Sequence, residues 1–192
     1  MLIALNIIML IFSKFFKDTN MNIDKIGCGK NPDEIKVVIE VPLNSNIKYE
    51  LDKESGAVMV DRVLYSAMHY PANYGFVPDT LSDDEDPADV LVLCDYVLQA
   101  GSVIKCRLVG VLLTEDEKGG DEKLLAVPSS KIDPTYDNIQ DLNDIPVHTQ
   151  NRIKNFFETY KALEPNKWVK VTGFQGKAEA TAILEKAIKN YK

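Results

Sequence analysis

The sequence predicts an α+β domain, a small closed β-barrel of oligonucleotide/oligosaccharide-binding type with helices packed outside. Three observations lead there. Short β-branched or alternating segments crowd the first two thirds of the chain, turn and proline signals separate them at short intervals, and two amphipathic helical stripes are confined to the last third. A chain of 192 residues with 45% hydrophobic content has material for one core, and no internal repeat or interdomain linker divides it.

The elements follow in order. Lys36 to Val41 is β-branched and stops at Pro42, as a strand end does. Ile47 to Asp52 and Val58 to Leu64 alternate around a Ser55-Gly56 turn, so these first segments read as an antiparallel meander. Val90 to Leu93 is a continuous apolar run expected to be a buried strand, and Ser102 to Leu113 a long one. Thr114 to Lys123 carries two glycines and five acids and reads as a loop before the strand Leu124 to Val127. Asp144 is expected to cap a helix with Pro146 in its first turn and Ile153, Phe156, Phe157 and Tyr160 on one face, stopped by Pro165. Trp168 to Val171 reads as a returning strand ending before Gly173. Ala180, Ile183, Leu184, Ala187, Ile188 and Tyr191 stripe a terminal helix.

The amino terminus stands apart. Leu2 to Phe12 is almost wholly apolar but too short for a membrane-spanning helix, has no basic residue before it, and is followed by Lys14 and Lys17 rather than a small-residue cleavage site. Residues 1–20 therefore read as an apolar leader or over-extended start, with Met21 as the alternative first residue and 21–192 as the single domain.

Composition narrows the chemistry. A net charge of −7 argues against gripping bare nucleic acid, which needs clustered Lys and Arg. Cys28, Cys94 and Cys106 form neither a disulfide framework nor a zinc pattern, so a reducing, cytoplasmic setting is expected. With only His69 and His148, far apart, and no nucleophile-elbow or zincin motif, the chemistry must run on carboxylates, lysines, arginine and tyrosines.

The densest carboxylate group is Asp84-Glu85-Asp86-Pro87-Ala88-Asp89. Extended backbone would put Asp84 and Asp86 on one face, with Pro87 re-aiming Asp89 toward them. An arbitrary acidic run is usually a solvated loop. This one leads at once into an apolar strand and has further acids at Asp116 and Asp121, and close carboxylates in a dry site are neutralised by a hard divalent cation. Mg2+ suits oxygen ligands better than zinc does, and the spacing excludes an EF-hand.

The segment resembles the Asp-x-Asp-Pro-x-Asp-Val signature of the soluble family I inorganic pyrophosphatases of compact bacterial type. The resemblance extends from about Pro32 to the carboxyl end, through Val37 to Pro42, Ile47 to Glu50, Asp52 to Gly56, Tyr70-Pro71-Ala72-Asn73-Tyr74-Gly75 and Trp168 to Val171. It implies that Asp84, Asp89 and Asp121 hold activating metals, with Asp89 shared between two, and that Asp116 binds one arriving with substrate. It further implies Asp86 as general base, Glu40 and Glu50 as supporting acids, and Lys48, Arg62, Tyr74, Lys123, Tyr160 and Lys161 as phosphate contacts. Taken singly, these lysines, tyrosines and glutamates would be ordinary solvated or core residues; their joint order carries the reading.

Glu85 and Ala88 depart from the signature, which has a small or short polar residue and a larger aliphatic there. Alternation should turn Glu85 away from its neighbours, so metal affinity is the property at stake. The resemblance implies hydrolysis of pyrophosphate, delivered as its magnesium complex, by metal-activated water, in a homohexamer; no nucleic-acid partner and no stable membrane insertion are expected. The alternatives are a noncatalytic anion- or oligonucleotide-binding barrel, and a metal-dependent phosphohydrolase acting on nucleotides.

Overall fold

The computed structural model describes residues 25–29, 32–117 and 119–192, so the reading of residues 1–20 lies outside the described residues. Within them the strands are β1 (Ile35–Val41), β2 (Ile47–Leu51), β3 (Val58–Val63), β4 (Asn73–Phe76), β5 (Asp89–Val92), β6 (Val103–Asp116), β7 (Gly119–Gly120), β8 (Lys123–Pro128) and β9 (Val169–Gly176). The helices are α1 (Val147–Thr159) and α2 (Lys177–Tyr191).

Five strands close into a ring. β1 pairs β4, β4 pairs β5, β5 pairs β8, β8 pairs β6, and the first residues of β6 return to β1. Closure removes the open edges that would otherwise expose unpaired backbone groups. β6 can serve four neighbours because it is 14 residues long: besides β1 and β8, its later half pairs β9, and its tip pairs β7. This is the expected α+β architecture, with α1 and α2 outside the barrel.

Alternation along the buried strands feeds two cores. Val90 and Val92 pack in the cluster that includes Ala180, Leu184 and Ala187 of α2, while Leu91 belongs to the cluster with Ile153, Phe156 and Phe157 of α1. Both helices are thereby fixed to the same sheet.

The structure corrects several local expectations. β2 and β3 do form a hairpin, but β1 joins β4 and β6 rather than continuing a meander with β2. β1 is buried along nearly its whole length and needs partners covered on both faces, whereas β3 is largely exposed. β4 was not anticipated, since Asn73-Tyr74-Gly75-Phe76 is buried throughout and shows no alternation. Gly75 is required there: a Cβ would stand 1.8 Å from the Val38 carbonyl oxygen of β1.

The segment expected as a loop from Thr114 is instead a hairpin extension, with Glu115 and Asp116 opposite Gly120 and Gly119. α1 begins at Val147 with Pro146 before it and no side-chain cap. Asp144 closes a preceding 3-10 turn, where its carboxylate accepts from the Gln140 and Asp141 amides. β9 runs through Gly173, whose φ of 149° sits beside the register shift opposite Leu113 and Thr114, so that glycine makes a bulge rather than a strand end. On α2 the stripe buries Ala180, Leu184 and Ala187 but leaves Tyr191 exposed. Among the described residues no helix is long and apolar enough to cross a membrane.

Candidate active site

The strand ends that carry acids meet at one side of the barrel. β5 and β8 are parallel and in register, with Asp89 opposite Lys123, so the first residue of each strand faces the same space. The Lys123 ammonium pairs with both Asp89 and Asp121. Asp121 follows β7, its amide 2.9 Å from the Thr114 carbonyl of β6, and Asp116 and Asp121 line the same compartment. Lys161, just beyond α1, contacts Asp116 at 3.0 Å.

The acidic segment reaches the rim by a route other than the extended one. Residues 83–86 form a turn, closed by Ser82 N to Asp86 O at 2.8 Å and by the Asp86 amide donating to Asp84 Oδ1 at 3.1 Å. Glu85 sits at φ 70°, the left-handed region. The side-chain-to-backbone bond, not period-two alternation, brings Asp84 and Asp86 together. Asp84 is half-buried, Asp86 is exposed to solvent, and Ala88 is buried.

The opposite wall is the β2–β3 hairpin. Lys48 and Arg62 are register partners; Lys48 pairs with Glu50 and lies 3.4 Å from Asp61, and Arg62 lies 2.8 Å from Asp61. Glu40 of β1 accepts from the Leu51 amide at 2.8 Å and so ties the barrel to this hairpin.

The third wall is aromatic. Tyr70 packs on Tyr74 at 5.4 Å and on Phe156 at 4.8 Å, and Phe156 stacks on Tyr160 at 4.9 Å between ring centroids. This chain of rings connects β4 to α1 and sets where Tyr160 and Lys161 stand.

Two adjoining compartments result, of about 600 and 230 Å³. The larger is lined by Glu40, Lys48, Glu50, Tyr74, Asp84, Asp86 and Asp89. The smaller shares all of these but Glu40 and adds Arg62, Asp116, Asp121, Lys123, Tyr160 and Lys161. Thirteen candidate residues from widely separated segments thus line one cleft.

Further charged and aromatic residues stand in or beside these walls. Asp61 joins Lys48 to Arg62, and Glu164 lies 3.2 Å from Arg62 Nε, an electrostatic contact misaligned for hydrogen bonding. Tyr70, Glu117 and Lys167 complete the smaller compartment, the last two paired with each other. Asp61 adjoins Arg62 in sequence and Tyr70 precedes Tyr74 by four, which are weak signals; Glu164, 102 positions from Arg62, has none.

The electrostatics are those of a crowded acidic site. Burial, the Asp89 charge and the Glu50 charge raise Glu40 from its ordinary 4.5 to about 7, against a lowering by the Leu51 amide and Lys48. Burial also raises Asp84 and Asp121, the latter partly offset by Lys123. Burial works against the charge of Lys123, but Asp89 and Asp121 outweigh it and hold the ammonium protonated. Burial raises the Tyr74 and Tyr160 hydroxyls, which remain donors at neutral pH.

Among the described residues no three acidic, histidine or cysteine side chains already form a metal cage. The donor chemistry nevertheless fits a hard cation: every acid offers only oxygen, carboxylates outnumber cationic side chains in the cleft, and Lys123 already bridges Asp89 and Asp121 as a positive charge would.

Comparison with known proteins decides the family. The family model described as inorganic pyrophosphatase matches residues 37–192. The chain belongs to the inorganic pyrophosphatase family. It is 65% identical to an inorganic pyrophosphatase of Campylobacter jejuni over 172 residues, 90% of this chain and 100% of that protein. It is 63% identical to one of Helicobacter pylori over 171 residues, 89% of this chain and 99% of that protein. Among solved structures, an inorganic pyrophosphatase of Helicobacter pylori superposes with a TM-score of 0.85 at 63% identity, covering 87% of this chain and 98% of that one. One from Coxiella burnetii gives 0.86 at 46% identity, with 87% and 100% covered. As a member of the inorganic pyrophosphatase family the chain is an enzyme, a hydrolase, and the family is metal-dependent.

Proposed function

We propose that this chain hydrolyses inorganic pyrophosphate to two phosphates, with Mg2+ held by Asp84, Asp89, Asp116 and Asp121 and with Asp86 as general base. The observation that carries this reading is the convergence of carboxylates with lysines, an arginine and tyrosines on one cleft. A polyanion would be repelled by the acids alone, so the substrate is taken as its magnesium complex. When bound, the metal ions lower the pKa of a coordinated water and neutralise the charge that develops on phosphate oxygens.

The remaining work falls to side chains. Asp86, solvent-exposed at the mouth of the acidic turn, accepts the proton of the attacking water. Arg62 binds two phosphate oxygens through its planar fork, held in place by Asp61 and Glu164, and Lys48 adds a point charge beside it. Lys123, Lys161, Tyr74 and Tyr160 donate to the other phosphate. To reach substrate, Lys123 must exchange a carboxylate partner for phosphate; metal at Asp89 and Asp121 would free it. Glu40 and Glu50 support the hairpin and the charge balance. The proposal takes residues 21–192 as one catalytic domain and the active form as a cytoplasmic homohexamer.

Phosphate release from magnesium pyrophosphate tests the reaction. Release no faster than a metal-only blank would leave a noncatalytic anion-binding barrel, and preference for a nucleoside triphosphate would reassign the substrate. Asp86→Asn is expected to keep Mg2+ binding while turnover falls ~100-fold or more, the range for loss of a positioned base. Parental turnover in that variant would remove Asp86 from the role.

A further inference from the structure

The acidic turn is fastened from behind by the last two turns of α2. The Leu81 amide donates to the Ala187 carbonyl at 2.9 Å, and Asn190 Nδ2 donates to the Leu81 carbonyl at 3.3 Å. Lys186 Nζ lies 2.6 Å from Asp83 Oδ2. A cavity of about 40 Å³ lies between the helix and this segment, lined by Lys186 and Asn190 on one side and by Asp83 and Glu122 on the other. Glu122 also attracts the Lys186 ammonium. Asp83 immediately precedes Asp84, and Glu122 immediately follows Asp121. One lysine of α2 therefore faces the chain neighbours of two proposed metal ligands that come from different parts of the barrel.

We infer that Lys186 and Asn190 are positioning residues, which act through the Leu81–Asp83 segment and Glu122 to keep Asp84 and Asp121 on one compartment of the cleft, where a divalent cation can draw them together. Neither touches the cleft, and the inference rests on the metal-ligand reading above. The need for a latch is visible in the turn itself: Glu85, at φ 70°, is a non-glycine residue in left-handed backbone, a conformation that persists only where the surroundings impose it. The Lys186–Asp83 pair is more than half exposed on both sides, so it adds little to global stability. Its effect is local.

The latch and plain electrostatics predict opposite signs, which makes the test sharp. Removing the Lys186 charge near an acidic site should tighten cation binding if charge alone matters; loosening the turn should weaken it. Metal-free protein is titrated with MgCl2 by calorimetry for the parent, Lys186→Ala, Asn190→Ala, the double variant, and the exchanged pair Asp83→Lys with Lys186→Asp. The expected result is Mg2+ affinity about threefold weaker in each single variant and about tenfold weaker in the double, near the upper end of what such contacts contribute. The exchanged pair, which keeps net charge, recovers most of the parental affinity. Melting temperature in chelator stays within about 2 °C of the parent in all of them, as expected for exposed contacts.

Affinity unchanged or tighter in Lys186→Ala and in the double variant overturns the inference, and if Asp84→Asn still weakens binding strongly, the metal-ligand reading survives alone. If Asp84→Asn leaves Mg2+ binding at the parental level, both fall together.

Discussion

Glu40 shows how one half-buried side chain can make the metal-free protein sensitive to pH. Its carboxyl titrates near 7 in the fold, against an ordinary 4.5, chiefly because burial disfavours its charge and Asp89 adds repulsion. The unfolded chain therefore releases this proton first. Stability attributable to Glu40 is complete below about pH 4.5 and is lost as pH rises through 7, by about 3 kcal/mol at 1.36 kcal/mol per unit. Urea titrations of metal-free protein between pH 4.5 and 8 should give a steeper decline for the parent than for Glu40→Gln; parallel curves would refute the assignment. Glu85 is the second residue whose environment makes a numerical demand. Its left-handed backbone costs roughly 1 to 2 kcal/mol relative to glycine, less glycine's own entropic penalty. Glu85→Gly should thus raise chelated-protein stability by about 0.5 to 1 kcal/mol by the same denaturation measurement; a loss would show the turn unstrained.

At the scale of elements, the aromatic chain through α1 supplies the third wall of the cleft. Phe156 is fully buried against Tyr70, Phe157 and Tyr160. Phe156→Ala should cost about 3 to 5 kcal/mol of stability. Because Tyr160 loses its stacking partner, KM for pyrophosphate should also rise several-fold in protein that remains folded at low temperature; unchanged KM there would detach Tyr160 from substrate. This scale also shows what the sequence could and could not disclose. β5 and β8 were legible because their apolar runs are bounded by acids and a proline, and α2 because its stripe is regular. β4 was hidden because it is buried on both faces and carries a glycine demanded by the close approach of β1, a non-local cause. The acidic turn is not legible in the sequence because alternation and an Asp86-to-Asp84 side-chain bond both bring the two acids together; the Ser82–Asp86 backbone bond and the positive φ of Glu85 separate the cases. The candidate ligands and cations were readable from motif order. Glu164 was not, since its contact with Arg62 joins chain segments 102 positions apart that share no local pattern.

For the whole molecule, the distribution of acids links metal occupancy to the folded state. The proposed ligands arise from the turn before β5, the start of β5, the tip of β6 and the segment before β8, so an ion binding them would cross-link parts of the sheet that are distant in sequence. The unfolded chain offers no such convergence, and Mg2+ should stabilise the native state by mass action: about 2.7 kcal/mol at a free concentration 100 times Kd. For a domain of this size each kcal/mol moves the melting temperature by roughly 2 to 4 °C, so chelation should lower Tm by about 5 to 10 °C from the saturated value. The dependence should be logarithmic in free Mg2+ above Kd and should vanish for Ca2+-free, Mg2+-free protein carrying Asp84→Asn with Asp89→Asn when Mg2+ is restored. The test is a series of thermal melts across Mg2+ concentrations at constant ionic strength, since general screening of the −7 net charge would otherwise mimic a weak stabilisation. A Tm independent of Mg2+ in the parent, or an equal rise in the double variant, would mean that the carboxylates at the barrel rim are not where the ion binds.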